Sequence, residues 1–421
     1  MLQTLFHIPS EIGGLPVFGF GLLLAVWAVF GAGLLAWLGR RQGLNADTLG
    51  YLPLLALVGA IIVWLLPALC DPPHGLPIRG YGVMMLFAVL AATGLTIWRG
   101  RARGVSADTV FSIAFWMFVP GIIGARLFYV IEYWPDNYGP EFQRGLAAGV
   151  AAVLKVNEGG LVVFGGLVGA LLGLLLFVRK QRLPLWATCD LVAPGLALAQ
   201  ALGRIGCLLN GCCFGGPCEH AWAVTFPGGE SPSAPYQSQI VRGQFYGLSV
   251  EGPANAPPLL AWVDDDSPLA AAGIARGNRL AAVNGAQIET VAQAHTAFRR
   301  AFEGHKPVQI EVEGRAPVLL PAVEPPPRSR PVAPAQILSA IDAFVLCLTL
   351  LAWSPFCRRD GELFALTLTL HPISRFLLEI IRTDEAPVFQ TGLSISQNIS
   401  LLMLAAAAAL WWRVLRSGRR A

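Results

Sequence analysis

The stretch GYGVMMLFAVLAATGLTIW, residues 80–98, holds no charged side chain and is followed at once by Arg99, Arg101 and Arg103. At a rise of about 1.5 Å per residue, a helix of that length covers about 28 Å, the thickness of a bilayer's hydrocarbon core. Arginine is costly inside that core, so the span ends where the cluster begins. The rest of the chain repeats the pattern. Of its 421 residues 55% are hydrophobic and only 13% charged, and the mean hydropathy is +0.58. A window of about 19 residues predicts about nine spans. They lie near 18–38, 49–69, 80–98, 108–134, 160–178, 184–205, 336–355, 362–382 and 396–412. The fold class that follows is an all-α polytopic membrane protein.

The net charge of +4 is less informative than its placement. Arg40 and Arg41, the 99–103 cluster, Arg179 with Lys180 and Arg182, Arg358 with Arg359, and Arg413, Arg416, Arg419 and Arg420 occupy every second connection. The positive-inside rule puts these connections and the C-terminus in the cytoplasm, and the N-terminus outside. Residues 1–18 lack the basic start of a signal peptide, so the first span is expected to stay as an anchor. No nucleic-acid partner is implied.

An internal repeat marks the first four spans. LPVFGFG at 15–21 aligns with LPIRGYG at 76–82, and WLGRRQGLNADT at 37–48 with WRGRARGVSADT at 98–109, both at an offset of 61 positions. The second copy carries Tyr81 and Arg126 where the first carries Phe20 and Leu65, which points to the second copy as the functional one; simple drift is the alternative. Residues 219–330 then break the membrane pattern, being rich in Pro, Asp and Glu. Within this outer-side insert, QFYGLSVEG at 244–252 and WVDDDSPLAAAGIARGNRLAAVNGAQI at 262–288 resemble a PDZ domain over about 243–323. The resemblance implies an α+β module that takes an extracytoplasmic peptide ligand, with the carboxylate-binding loop at Tyr246, Gly247 and Leu248. VEPPPRSRPVAP, 323–334, reads as a stiff proline-rich linker.

Ionisable residues inside spans are functional candidates by default. At the predicted topology Tyr81, Arg126, Glu158, Arg204, Asn210, Arg375, Glu379 and Arg382 all fall toward the outer leaflet. Arg375, Glu379 and Arg382 follow i, i+4, i+7 and share a helix face. Guanidinium groups match phosphate oxygens in a bidentate way, so an anionic head group is the expected ligand; an internal Arg375–Glu379 ion pair is the alternative. Gly165, Gly166, Gly211 and Gly215 are expected to help build the site, Gly169 and Gly173 to pack helices.

These residues form an ordered array that resembles the bacterial phosphatidylglycerol:prolipoprotein diacylglyceryl transferase family. The matching pieces are LPIRGYGVMM (76–85), GARLFYV (124–130), NEGGLVVFGGLVG (157–169), GRIGCLLNGCCFG (203–215), PVAPAQIL (331–338), ISRFLLEIIRTDE (373–385) and LSISQNIS (393–400). The resemblance implies a seven-span core in the bacterial inner membrane. That core would move a diacylglyceryl group from phosphatidylglycerol to the lipobox cysteine thiol of a preprolipoprotein. The chain then divides into a two-span repeat unit (1–75), a first core part (76–218), the insert (219–330) and the last three spans (331–421). Tyr81, Arg204, Arg375, Glu379 and His371 are the expected catalytic residues. Arg126, Glu158, Gly165, Gly166, Asn210, Gly211, Gly215, Arg382 and Gln397 are expected to bind phospholipid. Other positions depart from the family pattern: Phe164 and Ala333 replace histidines, Cys207 an asparagine, Cys212 an acidic residue and His371 a tyrosine.

The departures leave Glu158, Glu379 and His371 as candidate bases, or none, with the arginines favouring the substrate thiolate. GRIGCLLNGCCFGGPC, 203–218, admits three readings. A metal site is disfavoured because CxxC pairs are absent, and a disulfide such as Cys212 or Cys213 with Cys218 fits an outer face. The plainest account is weakly polar side chains lining a lipid pocket, with no metal or cofactor. Two other functions compete. An intramembrane metalloprotease needs HExxH, which none of the six histidines supplies. A phospholipid-binding scaffold that docks peptides through the insert is compatible with Phe164.

Overall fold

The computed structural model describes residues 3–43, 45–71, 74–154, 160, 162–229, 232–252, 256–380 and 392–416. Strand β1 (Thr4–Ile8) and the short hairpin β2 (Glu11–Ile12) and β3 (Leu15–Pro16) precede helix α1 (Leu22–Gln42). After α2 (Ala46–Leu49) and α3 (Leu52–Ala60), a π-helical turn at Ile61–Leu65 leads into α4 (Leu66–Ala68). The second copy of the repeat starts at β4 (Leu76–Arg79), which pairs antiparallel with β1, and continues into α5 (Gly80–Arg101) and α6 (Ala107–Glu132). Both copies therefore begin a helix at the Ala of their shared ADT, but only the second runs on unbroken. Ser106 caps α6 by accepting from the Thr109 amide.

Next come α7 (Gly139–Arg144), α8 (Leu146–Leu154), α9 (Val163–Lys180) and α10 (Leu185–Asn210). The insert supplies α11 (Ala234–Val241), β5 (Leu248–Glu251), β6 (Leu259–Val263), α12 (Pro268–Ala271), β7 (Leu280–Val283), β8 (Ala286–Gln287), α13 (Val291–Glu303), β9 (Val308–Val312) and β10 (Val318–Leu320). The chain closes with α14 (Ala335–Trp353), α15 (Glu362–Glu379) and α16 (Ile395–Arg416).

Among the described residues, 7 helices are long and apolar enough to cross a membrane, against the nine spans expected. The two shortfalls have separate causes. Leu52–Ala68 is apolar but short: it starts only at Leu52, with Pro53 in its first turn, and passes through the π-turn at Ile61–Leu65 before ending just beyond Pro67. Helix α15 reaches 18 residues, but His371, Arg375 and Glu379 lower its hydropathy. The overall class, a mostly helical polytopic membrane protein, stands.

The residues form two compact units, one of Cys207–Asp342 with Pro372–Leu402, the other of Leu2–Gly206, Ala343–His371 and Met403–Ala421. In the second unit, α6 and α9 meet along glycines. A Cβ on Gly165, Gly169 or Gly173 would run into the main chain of Gly124, Pro120 or Trp116 respectively. These three sit at i, i+4, i+8 on one stripe, so the backbones touch as small-residue seams allow. Gly169→Val is expected to destabilise the protein by about 3 kcal/mol, the upper end for overpacking because backbone must move. Thermal melting in detergent would read the loss.

The same unit is clamped by Asp190, which no sequence argument singled out. Its carboxylate accepts from the amides of Gly361 (2.8 Å) and Phe364 (2.9 Å) at the start of α15. Arg99 donates to the carbonyls of Asp190 and Leu191 at 2.9 and 2.6 Å and to Ser354 Oγ at 3.1 Å. Arg99 thus pins α5 to α10, beyond its reading as a connection charge. Asp190→Ala leaves two amides without their acceptor, and a stability loss of about 2–3 kcal/mol by the same melting assay is expected.

The insert has its own core of Leu248, Leu260, Leu269, Leu280, Phe298 and Ile310, each at most 0% exposed. Its antiparallel sheet runs β10-β9-β7-β8, with β5 and β6 paired separately. The proline-rich segment is no free spacer. Ser329 and Val332 amides donate to the Phe226 and Val224 carbonyls, Gly228 donates to Pro327, and Gly215 to Ala333. Tyr236 hydroxyl donates to Pro326 O (2.8 Å), and Gln239 exchanges bonds with Arg330.

Candidate functional site

In the first unit, the polar residues of α15 meet the start of α16. Arg375 Nη1 stands 2.8 Å from Glu379 Oε2, their side chains 14% and 3% exposed. Arg375 Nη2 donates to Ser396 Oγ at 2.9 Å, and Ser394 Oγ donates to Glu379 Oε1 at 3.2 Å. The i, i+4 pair read as an alternative from spacing is therefore formed, and two hydroxyls extend it. Gln397 closes the capping box of α16: its amide donates to Ser394 Oγ, and its Oε1 accepts from the Ser394 amide at 3.0 Å. SISQ at 394–397 carries that signal in the sequence. Ser374 Oγ donates to Asp342 Oδ2 at 2.8 Å. Ser394 and Ser396 are the members of this network that sequence reasoning missed; a hydroxyl in a membrane helix is too common to stand out.

The turn after α10 belongs to the same unit. Asn210 is the last helical residue and Gly211 takes φ +76°, the left-handed conformation that ends helices. A Cβ there would press on Phe226 and Ser233 at 3.3 and 3.4 Å, so the backbone favours glycine and the packing leaves little room for more. Gly215 is buried and its amide donates to Ala333 O at 2.9 Å, which ties this turn to the segment preceding α14.

The insert's expected carboxylate loop is internally bonded. The Tyr246 amide donates to Gly243 O (2.9 Å) and the Gly247 amide to Gln244 O (3.2 Å). Val250 on β5 donates to Arg242 O, and the Leu248 side chain lies in the core. Burial raises the pKa of the Tyr246 phenol, whose hydroxyl donates to Lys306 O.

In the second unit, Tyr81 starts α5 and is 39% exposed. Its ring packs on Gly206 of α10, where a Cβ would come within 3.2 Å of Tyr81 and Met84. Arg204 is half-buried two residues earlier on that helix, and His371 is half-buried on α15. Arg126 is buried. It donates to the carbonyls of Val153 (2.8 Å), Gly160 (3.0 Å) and Ala152 (3.1 Å), and lies over the rings of Tyr129 and Tyr138. Arg126 thus organises main chain on both sides of 155–159. Gly165 lies in the α6–α9 seam, and Gly166 makes ordinary contacts with Ala125. Glu158 and Arg382 lie outside the described residues. An apolar cavity of about 360 Å³ is lined by Ala92, Thr96, Ile113, Met117, Gly121 and Gly195 among others, a size within the ordinary range of ligand pockets.

Chemically, the two units offer different things: a buried, hydroxyl-bonded cation–carboxylate pair in one, an oil-lined cavity in the other. Each taken by itself, the first suits an anionic group and the second a hydrocarbon chain. Comparison with known proteins identifies the family. The family model described as prolipoprotein diacylglyceryl transferase matches residues 67–413. A Rhodopirellula baltica protein named phosphatidylglycerol–prolipoprotein diacylglyceryl transferase is 32% identical over 450 aligned positions, covering 97% of this chain and 88% of that one. Proteins of the same name from Synechococcus elongatus and Clostridium tetani are 32% and 35% identical. Those alignments cover 40% and 41% of this chain, and 56% and 64% of theirs. The long alignment with the Rhodopirellula protein takes in the N-terminal region and the insert as well as the core.

Proposed function

Since the chain belongs to the prolipoprotein diacylglyceryl transferase family, we propose how its own residues carry out the transfer. The reaction moves a diacylglyceryl group from phosphatidylglycerol to the cysteine thiol of a prolipoprotein. The observation that carries the residue assignment is the buried Arg375–Glu379 pair with its two serine partners, because an ion pair in an otherwise apolar helix is costly without a task. Arg375 binds the phosphodiester of the lipid and stabilises the negative charge that grows on it as the C–O bond breaks. Glu379 holds the guanidinium in place. Arg204 contributes a second guanidinium to phosphate recognition, Tyr81 a hydroxyl, and Asn210 a carboxamide at the helix end.

The sulfur attacks the glyceryl carbon that bears the phosphate. A C–S bond forms, the C–O bond breaks, and glycerol phosphate leaves with the bonding pair. The thiol proton ends on that phosphate, directly or through His371, whose imidazole can accept a proton on one ring nitrogen and release one from the other. This route supplies the proton acceptor that Phe164 cannot. The apolar cavity accommodates part of the acyl portion. The protein works in the bacterial inner membrane with the N-terminus and insert outside, in line with the alternating arginine clusters. Nine spans remain our reading if Leu52–Ala68 and α15 also cross.

The insert is read as a PDZ-like module for extracytoplasmic peptides. Support comes from the element order and the SPLAAAGI helix. Peptide capture at Tyr246–Leu248 requires two amide bonds of the 3-10 turn to be exchanged for bonds to a carboxylate. The test of the whole reading is complementation: this chain is expressed in a bacterium depleted of its own transferase, and a reporter lipoprotein is weighed. A diacylglyceryl increment is expected. Its absence, with verified membrane insertion and a matched lipobox, would favour the phospholipid-binding scaffold.

A further inference from the structure

The turn that closes α10 gathers three thiols. The sulfurs of Cys207, Cys212 and Cys213 lie within 4.8 Å of one another. Cys207 sits in the last helical turn, and the left-handed Gly211 reverses the chain behind it, its amide bonded to Cys207 O at 2.9 Å. Cys213 itself takes φ +58°. None of the eight cysteines is joined in a disulfide, and Cys218 is not part of the trio. Two thiolates on a tetrahedral zinc with Zn–S near 2.3 Å stand about 3.8 Å apart, so a closure of about 1 Å would bring all three sulfurs onto one ion.

A second observation comes from α14. Gln336 is 0% exposed, and its Nε2 donates to Cys212 O at 2.8 Å. That bond anchors the carboxamide on the cysteine turn. Its Oε1 is buried and, among the described residues, accepts no hydrogen bond. A buried carbonyl oxygen without a donor is unfavourable by about 1–3 kcal/mol. A cation bound by that oxygen would remove the deficit. Three soft sulfurs and one oxygen are a donor set for a thiophilic, filled-shell ion.

We propose that Cys207, Cys212 and Cys213 bind one Zn²⁺ as thiolates, with Gln336 Oε1 completing four-coordination. Three thiol protons pass to solvent on binding, so affinity rises with pH. The ion would fix the turn that presents Asn210 and Gly211. The sequence hides this site because it lacks CxxC pairs; the positive-φ residues, not the spacing, bring the sulfurs together. The proposal does not depend on the transfer reaction.

The experiment is metal analysis of the full chain purified in detergent under reducing conditions, then dialysed against limiting Zn²⁺. Cd²⁺ serves as a second probe through its thiolate charge-transfer absorption. About one ion per chain is expected, falling at least tenfold in affinity in Cys207→Ser, Cys212→Ser and Cys213→Ser, less so in Gln336→Leu, and unchanged in Cys218→Ser and Cys357→Ser. Each variant is first shown to elute as the parent does. Absence of bound ion in the parent would overturn the proposal, and so would retention of the ion by the triple variant. So would non-reducing peptide mapping of protein isolated without reductant, if two of the three cysteines are joined as a disulfide.

Discussion

Arg375→Ala is expected to abolish transfer and to lower stability together. Glu379, only 3% exposed, would keep its charge without its counter-ion, and breaking such a buried pair from one side is unfavourable by about 3–5 kcal/mol. The Ser396 hydroxyl would lose its donor as well. Glu379→Gln should be milder on stability, because the amide still accepts from Ser394, yet it frees the guanidinium from its fixed position and should slow transfer about tenfold to a hundredfold. The informative variant carries Arg375→Met and Glu379→Leu at once. Replacing both charges with apolar side chains of similar size restores stability, so melting should return toward the parent while transfer remains absent. A double variant as unstable as Arg375→Ala would show that the pair's role is structural.

Arg204→Ala should separate the two properties in the opposite way. Arg204 is half-buried on α10, and among the described residues it forms no ion pair whose loss would strand a buried carboxylate. Melting should shift little, and the rate of thioether formation should fall about a hundredfold to a thousandfold, as for removal of one donor to a developing anion. Arg204→Lys keeps the charge and loses the planar fork, so an intermediate rate is expected. Equal losses in Ala and Lys variants would locate the requirement in bidentate geometry.

Much of the fold was legible because apolar length and flanking arginines are a one-dimensional signal. The repeat, too, was readable, down to the shared ADT at which both copies resume a helix. What composition could not show is which member of a repeat stays continuous: the first copy starts its second helix only at Leu52 and passes through the π-turn at Ile61–Leu65. Charged residues were harder. Arg99 looked like one arginine among several at a span end, but the 91 positions that separate it from its acceptor Asp190 put that contact beyond any local pattern. Asp190 itself was findable, as a lone carboxylate in the apolar run LWATCDLVAPG at 185–195. Arg126 matched a family motif, and its three carbonyl acceptors give it a positioning duty that spacing does not disclose. Gln397 illustrates the converse, since SISQ already spelled a capping box. The proline-rich 323–334 segment read as a linker because proline count reports stiffness, whereas its partners at 215–228 are a matter of tertiary pairing.

The central claim is that this chain's arginines drive substitution at a glyceryl carbon by a peptide thiol. It is tested most directly with purified protein in vesicles of phosphatidylglycerol labelled in the head-group glycerol, supplied with a lipobox peptide. The account predicts release of labelled glycerol phosphate in equal amount to the thioether-linked diacylglyceryl peptide, no release when the peptide cysteine is serine, and no release by Arg375→Met with Glu379→Leu. Release without the thiol, or phospholipid binding with no release by the parent chain, would contradict it.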